Sequence, residues 1–253
     1  MKIIITLLMM CFTIVQAQTP GDSGEFRFMT YNIRVGKGLD QVKSLARIAD
    51  IINREMPDIV ALQEVDSATT RSGMAGQAQE LGRLTGMHAV FAPAITFDGG
   101  KYGVGILSRE EPISIKRVPL PGSEEPRVLL IVEFRDFVAA STHFSLTEED
   151  RIISAETLKA EARLFDKPMF VGGDFNALPG SEPIISIGRE FQTLSDTTQY
   201  TFPADNPTRC IDYIFAKQKR DLKYRITQKR VVPEAVASDH RPVMVVLTNF
   251  GRQ

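Results

Sequence analysis

Cysteine is scarce in this chain of 253 residues, which carries two, Cys11 and Cys210. Cys11 lies inside an N-terminal apolar leader, so the processed chain keeps Cys210 alone and an internal disulfide framework is excluded. Stability must then come from an apolar core, and Cys210, beside the run I-D-Y-I-F, is expected to be buried rather than reactive. Histidine is nearly as rare, with three residues. The chain has neither His-x-x-x-His nor a cysteine cluster, which argues against a zinc hydrolase, and it lacks G-x-S-x-G, which argues against an α/β serine hydrolase. No G-x-x-x-x-G-K-[ST] loop is present; G-K-Y-G-V-G at Gly100–Gly105 reads as the start of a strand. Also missing is any excess of basic charge. The 30 lysines and arginines fall to 29 once Lys2 leaves with the leader, against 31 acidic residues, a net charge of −2. That balance weighs against generic nucleic-acid binding without excluding a local basic rim.

The leader itself, M-K-I-I-I-T-L-L-M-M-C-F-T-I-V-Q-A, has one lysine, an apolar centre and a small residue at its end, the pattern of a secretory signal peptide. Met10 is too bulky for lipoprotein cleavage before Cys11, so a soluble mature chain is expected to begin at Gln18. The predicted organisation is a signal peptide over residues 1–17, a polar lead-in over 18–24 and one domain over 25–250, exported to the periplasm or the medium. No later stretch approaches the roughly 18 apolar residues of a membrane span.

Within the domain, Glu25–Ile33 alternates as a strand, Val42 to Ile52 repeats at helical spacing, and Asp58–Gln63 reads as a buried strand with Glu64 at its end. This unit predicts two adjacent parallel strands. Strands are also expected at His88–Pro93, Val104–Ser108, Ile113–Val118, Val128–Phe134 and Phe137–Thr142. A helix from Ile152 to Phe165, with Thr147 as N-cap and Asp150 as its partner, leads to a strand at Met169. A short helix after Pro183, a T-F-P turn, a strand at Ile211–Ala216, a Lys/Arg-rich link read as solvated loop and strand edge, and a final strand at Val243–Leu247 complete an α/β layered chain.

The segment Met169–Gly180, M-F-V-G-G-D-F-N-A-L-P-G, ends an apolar run in two glycines and then presents Asp174 and Asn176, on one side of the chain if it stays extended. Alone, Asp-x-Asn is as well explained by an Asx turn. Here it is one of several polar strand ends, together with Asn32, Glu64, His143, Asp212, Asp239 and His240. Carboxylates brought from different strands suit a hard divalent cation, and histidines beside them supply proton transfer or positive charge. The inventory fits metal-assisted phosphoester hydrolysis.

Seven blocks carry a family resemblance in order: T-Y-N-I-R at Thr30–Arg34, L-Q-E-V-D at Leu62–Asp66, G-V-G-I-L-S-R at Gly103–Arg109, T-H-F at Thr142–Phe144, G-D-F-N-A at Gly173–Ala177, I-D-Y-I at Ile211–Ile214 and S-D-H-R-P at Ser238–Pro242. Together they resemble the endonuclease/exonuclease/phosphatase superfamily with the deoxyribonuclease I-like fold. The resemblance implies a four-layer α/β sandwich, two packed mixed β-sheets flanked by helices. It implies magnesium, or manganese, held by Glu64 with Asn32 and Asp239 nearby. It implies His240 as catalytic histidine oriented by Asp212, Asp174 at the attacking water, Asn176 donating to a phosphoryl oxygen, and His143 stabilising developing charge. Arg71 reads equally as a bidentate phosphate contact or a solvated loop arginine, and Tyr102 with Lys101 as a candidate rim of the cleft. His88, away from these blocks, reads as structural.

The expected activity is that of an exported Mg-dependent phosphoester hydrolase, foremost a phosphodiesterase or nuclease. The alternatives are a phosphoinositide phosphatase, a sphingomyelinase-like lipid head-group hydrolase, or a noncatalytic binding module on the same fold. The partner implied is a phosphoester, from nucleic acid or a phosphorylated lipid or small molecule; no stable protein partner is implied.

Overall fold

Period-two alternation along the strands sorts the apolar residues into three cores, and three cores require four layers. On one strand Phe26 and Phe28 face one way while Met29 and Tyr31 take part in a different cluster; on the next, Ile59 and Ala61 separate from Val60 and Leu62 in the same manner. The computed structural model describes residues 24–217 and 224–249. The predicted leader at 1–17, nearly all of the lead-in and the middle of the Lys/Arg-rich link lie outside them.

Twelve strands are found among the described residues: β1 Glu25–Asn32, β2 Ile59–Ser67, β3 His88–Phe97, β4 Gly100–Ser108, β5 Ser114–Leu120, β6 Arg127–Glu133, β7 Val138–His143, β8 Met169–Asp174, β9 Phe191–Thr193, β10 Asp212–Lys217, β11 Arg225–Val231 and β12 Val243–Thr248. The α-helices are α1 Leu45–Glu55, α2 Gln77–Thr85, α3 Glu148–Arg163 and α4 Glu182–Gly188. One sheet runs β11-β12-β1-β2-β4-β3 and the other β5-β6-β7-β8-β10-β9. Each contains one parallel pair, β1 with β2 and β7 with β8, amid antiparallel neighbours, so both sheets are mixed. The parallel pairs are the strands joined through α1 and α3, because a parallel connection must cross back over the sheet.

The central core lies between the sheets, with Phe28, Ala61, Leu130, Val132, Phe170 and Ile214 among its residues. A second core packs α3 and α4 on one outer face through Ala155, Leu158 and Ile187. The third packs α1 and α2 on the other through Ile48, Ile52 and Leu81. The four-layer sandwich expected from the sequence is the observed fold. Cys210 is buried as expected, and its burial pushes the thiol up to about 12.

Several local expectations change. Helix α1 starts at Leu45 rather than near Val42, since the Ser44 hydroxyl accepts from the Arg47 N–H and caps it there. Thr147 is the N-cap of α3 but its side chain makes no capping bond; Asp150 accepts instead from the Ser123 N–H and the Ser145 hydroxyl. Strand β2 continues past Gln63 to Ser67. Edge strand β9, three residues long, carries no strand pattern in the sequence, whereas β11 falls in the Lys/Arg-rich link read as solvated loop and strand edge and is mostly polar, with Ile226 and Val231 packed on the core.

The sheets come close together at Gly172 of β8. A Cβ there would lie 2.8 Å from Phe28 Cε1 and 2.9 Å from both Ala61 Cβ and Thr30 Cβ, side chains of β1 and β2 in the facing sheet. Gly172→Ala is therefore expected to destabilise the fold by about 1–3 kcal/mol through overpacking. Urea unfolding checks this; an unchanged midpoint would show that the sheets separate freely at this point.

Candidate active site

Parallel pairing sends the ends of β1, β7 and β8 to one edge of the sandwich. Asn32 pairs with Gln63, and His143 with Asp174. β10 runs antiparallel to β8 and begins opposite that end, so Asp212 pairs with Asp174. The loop before β12 brings Asp239 and His240 to the same edge and is pinned by Ser238, whose hydroxyl donates to the Asn32 carbonyl at 2.7 Å and accepts from the His240 N–H at 3.3 Å.

Glu64 arrives by a different device. Leu62 pairs with Gly105 and Val65 with Gly103, so two residues of β2 oppose one of β4, a β-bulge. Within it Gln63 stays between the sheets, bonded to Thr30 and Ser141, while Glu64 at φ 55 reaches Asn32. It is a bulge residue inside a strand, not the strand's last residue, because the ladder resumes at Val65.

Asp174 Oδ2 is the hub. The Asn32 amide donates to it at 3.1 Å and to Glu64 Oε1 at 3.0 Å, and the Nε2 atoms of His143 and His240 stand 3.4 and 3.6 Å away. His240 Nδ1 lies 2.9 Å from Asp212 Oδ2. Asn176 is not extended beside Asp174: at φ 48 it closes an Asx turn, its N–H donating to Asp174 Oδ1 at 3.0 Å, and its amide donates to the Phe144 carbonyl at 2.9 Å. The second N–H of that amide has no partner among the described residues.

The two histidines are driven apart. Burial alone would lower the His240 pKa, but the Asp212 and Asp174 carboxylates, with the Asp212 hydrogen bond, outweigh it and hold His240 up at about 10. His143 is pushed down to about 4 by burial, aided by Arg127, against the attraction of Asp174. Arg127 is itself buried and its Nη1 lies 3.2 Å from His143 Nδ1. Arginine only donates, so Nδ1 must accept, and the ring is neutral with its proton on Nε2, towards Asp174. Half-buried Glu64 has its pKa raised by desolvation and by Asp239 and Asp174, against the Asn32 hydrogen bond.

A model of the endonuclease/exonuclease/phosphatase family matches residues 29–240. The chain belongs to that family. Among solved structures, a Bacteroides vulgatus endonuclease/exonuclease/phosphatase is similar at TM-score 0.72 and 22% identity, over 88% of this chain and 98% of that one. A Bacteroides thetaiotaomicron mannosyl-6-phosphatase is similar at TM-score 0.70 and 18% identity, over 88% and 99%. The human Nocturnin catalytic domain gives 0.67 and 18%, over 89% and 94%. Likeness at these identities speaks for the fold alone. No curated protein matches the chain.

Among the described residues, two groups of this endonuclease/exonuclease/phosphatase chain come into question for a cation. Ligand atoms of Asp174, Asp212 and His240 lie within 4.8 Å of one another. There, however, His240 Nδ1 is committed to Asp212 and the ring is cationic, which opposes a metal. Glu64 offers the better fit: its carboxylate stands desolvated against other anions, so a divalent cation would relieve the same repulsion that raises its pKa. Asp239 faces this group while paired with Arg34 Nε at 3.3 Å, and Asn32 contributes its amide as the bridge between Glu64 and Asp174.

Arg71 and Tyr102 line a cavity of about 310 Å³ beside Glu64. The Arg71 fork is already taken by Asp66, at 2.7 and 2.8 Å, and its guanidinium lies 4.3 Å from the Phe97 ring centroid, so it has no free fork for a phosphate. Lys101 donates to Thr96 along the exposed hairpin, and His88 is exposed at the start of β3, outside the group. Sequence reasoning missed Arg127, which meets His143 only through the β6–β7 pairing, and Phe202, whose ring centroid lies 4.7 Å from that of His240. No motif marks Arg127, and Phe202 shows in the sequence only as the middle of the T-F-P turn.

Arg127→Met is expected to free His143 Nδ1 and raise its titration midpoint above about 4. Imidazole ¹⁵N shifts across pH report both tautomer and midpoint. A wild-type His143 carrying its proton on Nδ1 would contradict the assignment.

Proposed function

We propose that this chain is an exported, divalent-cation-dependent phosphoester hydrolase that cleaves a P–O bond by in-line attack of water. The observation that carries the reading is the hub at Asp174 Oδ2, where an amide and two imidazole nitrogens from both sheets converge beside Glu64. Magnesium, or manganese, at Glu64 with Asp239 would neutralise charge on phosphoryl and leaving oxygens. Asp174 orients the water and takes its proton as the new P–O bond forms. The His240 cation and the His143 Nε2–H face the nonbridging oxygens, where charge accumulates. Asn176 offers its remaining N–H to one of them. Asp212 keeps His240 oriented and charged.

The substrate reading begins from a phosphodiester of nucleic acid or a head group. Phosphomonoesters are included because a compact cavity adjoins Glu64 and because a similar fold belongs to a mannosyl-6-phosphatase. Export rests on the leader at residues 1–17.

Hydrolysis of bis-p-nitrophenyl phosphate and p-nitrophenyl phosphate with magnesium or EDTA tests the activity. Turnover should need the metal and fall by about 10²–10⁴ in Glu64→Gln; turnover that persists in EDTA and in the variant would sink the reading. Asp212→Asn tests the charge on His240. That charge is held in the folded protein until pH rises through about 10, against an ordinary value of 6.5. The pairing therefore adds stability fully present below 6.5 and lost through about 10, and the variant should move the alkaline fall of kcat to lower pH.

A further inference from the structure

The cavity beside Glu64 is lined by one cation, Lys37, whose charge nothing answers among the described residues. Its wall is built by a tight left-handed turn, Arg34 at φ 48, Val35 at φ 49 and Gly36 at φ 73, before Lys37. A β-branched residue in that region is strained, and such strain concentrates where a chain must hold a functional shape. Lys43 donates to the Arg71 carbonyl and ties this wall to the Arg71 loop opposite. The other lining charges are matched: Arg71 by Asp66, Glu125 by Arg127 at 2.9 Å, and Arg34 by Asp239 at 3.3 Å. Glu64 is the group that fits the divalent metal ion. Lys37 also lines the cavity, half-buried, and among the described residues its ammonium has neither a hydrogen bond nor an ion pair. The ammonium is not among the buried unpartnered atoms, so it stays accessible at the cavity and open to an incoming anion. The Tyr102 hydroxyl, which lines the same cavity, is likewise without a partner among the described residues and adds a neutral donor.

We propose that this cavity is a substrate-selecting subsite, in which Lys37 binds a second anionic group on a compact phosphoester whose scissile phosphate lies at Glu64 and Asp174. The volume, about 310 Å³, suits one sugar- or base-sized ring between the two charges, with Val35, Ile95 and Phe97 against its apolar edge. Recognition is thus of a small doubly charged molecule. A long neutral-bodied substrate would leave Lys37 unanswered.

This inference rests on the hydrolase reading for the position of the scissile phosphate, yet it can be measured without turnover. Calorimetry with His240→Ala protein in magnesium compares glucose 1,6-bisphosphate with glucose 6-phosphate. The bisphosphate should bind about tenfold tighter, the worth of one charge-assisted contact. Lys37→Met should erase the preference and Lys37→Arg should keep it, and circular dichroism confirms that each variant is folded. Equal binding of the two sugars, or a preference that survives Lys37→Met, overturns the subsite. Preference in binding without hydrolysis of any phosphoester by the wild type would overturn the hydrolase reading and leave the subsite standing. Hydrolysis without the preference would do the reverse.

Discussion

Everything at the site depends on how near the two sheets come. Asn32 ends a strand of one sheet and Asp174 a strand of the other, 142 residues later, and their hydrogen bond spans the seam. That contact is possible because Gly172, two residues before Asp174, has no side chain to hold Phe28, Ala61 and Thr30 away. Deeper in the seam the core is apolar; towards the edge it becomes the Thr30–Gln63–Ser141 network, and then the hub. Along this gradient Gln63 accepts from the Thr30 hydroxyl and donates to that of Ser141, which donates in turn to the Leu62 carbonyl, so polar groups enter the seam already paired.

Two histidines of the same type acquire opposite characters from what stands behind them. A carboxylate behind His240 makes it a persistent cation; an arginine behind His143 makes it a neutral donor. Both then face the same carboxylate oxygen. Separating titratable groups in this manner gives one pocket two kinds of donor at one pH. The surrounding turns carry backbone strain, with Glu64, Asn176, Arg34 and Val35 all at positive φ. Their clustering at one edge of the sandwich is what a site over-determined by its scaffold requires.

The layered α/β class, the alternating faces of β1, β2 and β8, the polar residues at strand ends and the family are all legible in the bare chain. These are local properties: a period of two, a glycine pair before Asp174, a motif a few residues long. The three-residue strand β9 escaped, and β11 was legible only as a strand edge within a basic link, because edge strands bury too little to print a pattern. The bulge at Glu64 escaped because it exists only in the pairing of β2 with β4. It took the folded arrangement to establish that Asp66 occupies the Arg71 fork, that Arg127 fixes the His143 tautomer, and that Lys37 lines a cavity with no partner among the described residues. Charge and tautomer depend on desolvation and on partners distant along the chain, and neither is a property of any residue until the sheets have closed around it.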